Sequence, residues 1–146
     1  MGERTMVVVA DGGGARVLIE VRRGGPLVEK TAELDLPKPH AGTAVSKGRV
    51  FDRFGQASHG VTHEPPHDKA ERQFLQELAE LLPAICRACT ADQIVIMAPP
   101  KALGVLREAA PSAALPLLVQ TEPKDRRHAT LEELRAALRD LRREAV

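Results

Sequence analysis

The chain has 146 residues, enough for a single domain over 1–146 that buries about two-thirds of its unfolded surface in one core. Its formal charge of +1 at pH 7 excludes a global field that would draw it to nucleic acid or an anionic membrane, so any such attraction must be local. Trp and Tyr are absent and Phe51, Phe54 and Phe74 are the only aromatics, which leaves the core to aliphatic side chains and offers few platforms for base stacking.

The opening apolar run through Val7, Val8 and Val9 is far too short for a signal peptide or membrane span. Met6 stands where myristoylation prefers Ser or Thr. The expectation is therefore a cytoplasmic protein with no membrane contact. In that compartment Cys86 and Cys89 are expected to stay out of structural disulfides.

Thr5 to Ala10 is a β-branched run ending in Asp11-Gly12-Gly13-Gly14, and Ala15 to Val21 alternates as a second strand, so the two read as a hairpin. Lys30 to Leu36 alternates polar with apolar residues, which predicts a third strand that Pro37 and Pro39 stop. From Lys38 to His67 no periodicity is visible, yet this stretch holds four of the five histidines. A connection longer than about 12 to 15 residues inside a compact domain is generally a functional loop, a lid or a disordered segment.

Asp68 is an N-cap candidate for a helix whose apolar stripe runs Phe74, Leu78, Leu81, Ile85, with Pro83 expected to kink or divide it. Gln93 to Met97 is a short, nearly all-apolar run before Pro99-Pro100, the pattern of a central strand buried on both faces. Pro100 suits the first turn of a helix carrying Leu103 and Leu106. Leu115 to Gln120 reads as a fifth strand. Thr130-Leu131-Glu132-Glu133 is a capping box opening a helix with Leu131, Leu134, Leu138 and Leu141 on one face, and Arg139, Arg142 and Arg143 at its end complement the dipole. The order β-β-β, long loop, α, β, α, β, α predicts an α/β domain with a mixed five-stranded sheet, an antiparallel hairpin edge and helices packed on it.

Several motifs invite chemistry. Gly12-Gly13-Gly14 follows a strand as a phosphate-binding turn would, but Ala15 to Ile19 is strand rather than helix, so a hairpin turn is the better account. Cys86-Arg87-Ala88-Cys89 has redox spacing, but it falls at a helix C-terminus, where the dipole opposes thiolate formation, and buried small hydrophobes fit better. His59, His63 and His67 are four apart, yet Pro65-Pro66 interrupt any helix through them and no metal is expected. Asp11 at a strand end suggests a ribonuclease H-like nuclease, whose chemistry needs several converging carboxylates. The central strand ends in Ala98-Pro99-Pro100 instead of an acid.

Five blocks of the sequence carry a resemblance. Val9-Ala10-Asp11-Gly12, Gly48-Arg49-Val50-Phe51-Asp52 with the His-rich stretch after it, Glu71 to Leu78, Ile96-Met97-Ala98-Pro99-Pro100-Lys101-Ala102-Leu103-Gly104-Val105-Leu106-Arg107, and Lys124-Asp125 resemble the bacterial family of proteins required for attachment to host cells. The likeness covers nearly the whole chain, and the Ala-Pro-Pro-x-x-Leu-Gly-x-Leu-Arg string is fairly specific. Arg126-Arg127 departs from the Leu-Thr that usually follows Lys-Asp, and the first turn carries an extra glycine.

That family is similar in turn to the middle domain of archaeal and eukaryotic peptide-release factors and of Pelota, a ribonuclease H-like sheet without the nuclease acids. There a long loop between an early strand and the next helix is tipped by Gly-Gly-Gln, and Phe54-Gly55-Gln56-Ala57-Ser58 is similar to it, with Phe54 in place of the first glycine. The resemblance implies binding to the ribosome or tRNA, with Lys47, Arg49, Arg53, His59 and His63 as RNA contacts and no cofactor. Gly55 and Gln56 would carry peptidyl-tRNA hydrolysis, by an oxyanion-stabilising N-H and placement of water. The bulk of Phe54 favours recognition without chemistry, because a backbone that approaches a ligand closely wants residues lacking Cβ. A binding or scaffold protein that acts in attachment through a protein partner is the alternative.

Overall fold

The computed structural model describes residues 3–39 and 66–144. Strands β1 (Thr5–Asp11), β2 (Gly14–Glu20) and β3 (Leu27–Glu29) are followed by helix α1 (Pro66–Ala88), β4 (Gln93–Met97), α2 (Pro100–Ala109), β5 (Leu118–Glu122) and α3 (Leu131–Glu144). They form one sheet in the order β3-β2-β1-β4-β5. The β1/β2 and β2/β3 pairs are antiparallel, whereas β4 runs parallel to β1 and β5 parallel to β4. The mixed α/β sheet with a hairpin edge is as the sequence pattern indicates.

β1 explains the layering. Every residue from Thr5 to Ala10 is buried, which requires cover on both faces because successive side chains point to opposite sides. Met6, Val8 and Ala10 join Val17, Ile19, Ile94 and Ile96 under α1 and α2, where Phe74, Leu78, Leu82 and Leu106 complete a core. Val7 and Val9 face the other way with Leu18, Val95 and Met97, against Leu134, Ala137 and Leu138 of α3.

Three elements differ from their sequence patterns. The third strand is Leu27–Glu29, not Lys30 to Leu36, and Thr31–Glu33 is a 3-10 turn. Lys30 donates one more ladder bond to the Val17 carbonyl (2.8 Å), after which the Thr31 hydroxyl accepts from the Val17 N-H (3.0 Å). A side chain thus fills the slot a longer strand would use. Leu34 and Leu36 alternate because they pack against the α1-side core. Leu115–Leu117 is likewise a 3-10 turn and the last strand starts at Leu118, since Pro116 lacks the N-H that a ladder needs.

α1 runs through Pro83 without interruption. Its buried stripe uses Leu82, while Leu81 is exposed, a rotation of one position that four-three-four spacing alone cannot resolve. It ends in a Schellman motif: Ala91 N-H donates to the Cys86 carbonyl (2.9 Å) and Thr90 N-H to that of Arg87 (3.0 Å). Thr90 takes the left-handed conformation there, with φ 50°, an unusual place for a β-branched residue. The capping box of α3 forms as expected, with Glu133 N-H on the Thr130 hydroxyl (3.1 Å) and Thr130 N-H on the Glu133 carboxylate (2.8 Å). Leu131, expected on its apolar face, is exposed.

The C-terminal arginines do more than complement a dipole. Glu20 is wholly buried at the end of β2, with Arg135 2.7 Å from one carboxylate oxygen and Arg142 2.6 Å from the other. Gly24 N-H donates to it as well (2.9 Å), and Arg142 continues to the Thr5 hydroxyl (3.3 Å). Burial alone would push the Glu20 carboxyl up, but the hydrogen bonds from Arg142, Arg135 and Gly24 outweigh it and bring it from 4.5 down to about 2.

A depressed carboxyl contributes stability that is complete above its unfolded pKa and fades as pH falls toward the folded value. Wild-type protein is therefore expected to lose about 3 kcal/mol from this group between pH 4.5 and about 2. Glu20→Gln, which leaves two half-buried guanidinium groups without their carboxylate, is expected to lower stability at pH 7 by a similar ~3 kcal/mol and to flatten that acid limb. Urea unfolding across the pH range checks both.

Candidate functional site

Because β1 leads on through β2 toward one sheet edge while β4 leads through α2 toward the other, the chain diverges above the adjacent carboxyl ends of β1 and β4. In open α/β sheets a crevice at such a switch point is where ligands bind. Three connections meet there: the β1–β2 turn, the start of α1, and Ala98-Pro99 before α2.

The β1–β2 turn is tight, with Asp11 opposite Gly14 and the Gly13 N-H donating to the Asp11 carboxylate (2.8 Å). None of its glycines has a positive φ; they lie instead under the ends of long side chains. A Cβ at Gly12 would lie 2.5 Å from the Glu71 carboxyl carbon, and one at Gly14 would lie 2.8 Å from an Arg127 nitrogen. Glu71 therefore seats its carboxylate against the turn from the α1 side, while Arg127 lies over it from the segment before α3.

Arg127 Nε is 2.7 Å from the Asp11 carboxylate, though its N-H is not aimed along that line and finds no hydrogen-bond acceptor. The contact is a charge pair first. Arg16 holds this segment in place: its Nη1 donates to the carbonyls of Arg127 (2.9 Å) and Ala129 (2.7 Å), and Nη2 pairs with Glu29 (2.7 Å). The Arg16 hydrogen bonds hold the Glu29 carboxyl below the usual range, against the opposing effect of burial. Arg126 grips the buried Glu122 with two bonds of 2.5 and 3.2 Å.

On the α1 side, His67 Nε2 lies 2.8 Å from Glu71 and Lys101 of α2 lies 3.8 Å from Asp68. Between them is a cleft of about 200 Å³ lined by Gly12, Asp68, Glu71, Leu75, Lys101 and Val105, among others. Among the described residues no group of three His, Cys, Asp or Glu is placed to hold a metal. Asp11 and Glu71 do converge on the β1 turn, but Asp11 is already matched by Arg127 and Glu71 is in contact with the His67 imidazole.

Lys47, Arg49, Arg53, Gly55, Gln56, His59 and His63 lie outside the described residues. The residues on either side of that segment are placed. Helix α1, which follows that segment in the chain, begins beside the β1 turn, with Glu71 against Gly12, whereas β3, which precedes it, ends with Glu29 opposite Leu18, level with Val7 in the middle of β1. Cys86 and Cys89 are free and buried, with burial pushing both thiols up, which agrees with a packing role. Among the described residues no helix is long and apolar enough to cross a membrane.

The family described as "Protein required for attachment to host cells" matches residues 6–138. The chain belongs to that family. No curated protein matches it. Within this host-attachment family member, Glu71 and Arg127 are the site residues that sequence reasoning left unassigned. The signal for both was the glycine run, which marks a turn approached closely on two sides as well as a hairpin.

Gly14→Ala and Arg127→Ala should each remove the Asp11–Arg127 contact, at a cost of about 1 kcal/mol apiece. Their double variant is expected to cost little more than either single one. Strict additivity in denaturant melts would show that Arg127 does not depend on the bare backbone at Gly14.

Proposed function

We propose that this chain is a recognition domain of the release-factor-like kind that contacts ribosomal RNA or tRNA through the segment between β3 and α1, without hydrolysing peptidyl-tRNA. The observation that carries the reading is positional: α1, the helix that follows the segment in the chain, begins beside the switch point, where folds of this class present ligands. The sheet order is compatible with the ribonuclease H-like domain that the resemblance implies. Lys47, Arg49 and Arg53 supply local positive charge on a chain whose overall charge is +1, and each phosphate contact would make binding salt-dependent. Asp11 and Asp68 at the rim are matched by Arg127 and Lys101, which fits recognition better than metal-assisted cleavage.

The family's description favours a second reading, attachment to host cells through a protein partner, with the same segment as the recognition element. The two separate cleanly. Under the first, the protein co-sediments with ribosomes at low salt, is released as salt rises, and loses the association when Lys47, Arg49 and Arg53 are changed together to Glu. Absence of ribosome binding at every salt concentration removes that reading. Under the second, a nuclease-insensitive protein partner is captured and the triple change leaves ribosome sedimentation irrelevant to it.

A further inference from the structure

The cleft beside the β1 turn has a chemistry of its own. Its aliphatic lining is Leu75, Ala102 and Val105, and its charged lining is Asp68, Glu71 and Arg72 from α1 and Lys101 from α2. Lys101 stands at the positive end of a ten-residue helix.

The two prolines decide what that helix end offers an anion. Pro99 and Pro100 have no N-H, and Leu103 N-H is already bonded to the Pro99 carbonyl (2.8 Å). That leaves the N-H groups of Lys101 and Ala102 without an acceptor inside the helix. Two donors beside one ammonium match the two oxygens of a carboxylate, one of the anions that helix N-termini accept.

Existing ion pairs on the rim offer little resistance. The Lys101–Asp68 pair spans 3.8 Å with Lys101 80% exposed, and His67 opposite Glu71 is 62% exposed. Exposed pairs of this kind contribute about 0 to 1 kcal/mol, so a ligand's own charges can replace them. Arg72, also on the rim, is engaged already. A volume of about 200 Å³ admits one small molecule rather than a peptide or a nucleotide.

We propose that this cleft binds a single free α-amino acid with a short aliphatic side chain. Its carboxylate sits at Lys101 and the first-turn amides of α2, its ammonium at Glu71 and Asp68, and its side chain on Leu75, Ala102 and Val105. Gly12 is part of the site, because the missing Cβ is what lets the Glu71 carboxylate rest against the β1 turn. The proposal stands independently of ribosome or partner binding.

Calorimetric titration of the full chain with valine, leucine and isoleucine tests it, alongside two cut-down valines: isobutylamine, which lacks the carboxylate, and 3-methylbutanoate, which lacks the ammonium. At least one amino acid is expected to bind at least tenfold more tightly than either cut-down analogue. Lys101→Glu and Glu71→Gln are each expected to weaken that binding tenfold or more, with melting temperature and circular dichroism unchanged. Lys101 is exposed enough that its replacement leaves the fold intact. Failure of all three amino acids to bind at millimolar concentration overturns the proposal, as do analogues that bind equally well or charge variants that bind like wild type.

Discussion

The clasp of Arg135 and Arg142 on the buried carboxylate of Glu20 is the contact on which the rest of the architecture depends. β1 is buried on both faces, so the sheet needs a second covering layer, and among the described residues α3 is the helix that supplies it. Yet α3 buries only Leu134, Ala137 and Leu138, an apolar area too small to hold a highly charged helix firmly by itself. The clasp adds direction to that attraction. Hydrophobic burial is nearly indifferent to small slides along the sheet, whereas two guanidinium groups converging on one carboxylate, with Gly24 N-H on the same oxygen as Arg135, permit one register.

That register reaches the site at the opposite edge. With α3 fixed, the preceding segment is held down by Arg16, which reads the carbonyls of Arg127 and Ala129, and Arg127 is delivered over the β1 turn to Asp11. Charge is matched at each step: Glu20 by two arginines, Glu29 by Arg16, Glu122 by Arg126, Asp11 by Arg127. A net charge of +1 thus reflects internal pairing rather than a blank surface. Arg126-Arg127, the departure from the pattern that the resemblance led us to expect, turns out to be two of these matches.

Periodicity made much of this legible. The hairpin, the central strand Gln93–Met97, the Pro100 start of α2 and the capping box of α3 all lie where residue pattern places them, because each is decided by local backbone chemistry or by burial on a defined face. What escaped was decided by distant partners. Alternation from Thr31 to Leu36 arises from packing under α1, not from strand pairing. Leu82 rather than Leu81 faces the core because neighbouring elements set the rotation of α1. Arg142, at the end of a helix, looked like a dipole partner; that it meets Glu20 across 122 residues is a fact of tertiary structure that no local window contains. The five residues expected to touch RNA and the two expected to carry hydrolysis lie outside the described residues, and only the start of α1 is placed beside the β1 turn.

The same logic explains why acids at this edge need not make a nuclease. Asp11 and Glu71 approach one turn from two elements, as a metal-binding pair would, and Ala98 follows β4 where a further carboxylate would be required. Instead a guanidinium stands beside Asp11 and an imidazole beside Glu71. The Asp11 match is geometrically enforced, since the bare backbone at Gly14 is what admits Arg127 so close. The Glu71 match is not: His67 is mostly exposed and leaves the carboxylate available to a cation arriving in the cleft. Of the two acids, then, Asp11 is taken up by Arg127 and Glu71 is the one that the proposed amino acid would meet, on the α1 side of the turn rather than at the strand end where the sequence first drew notice.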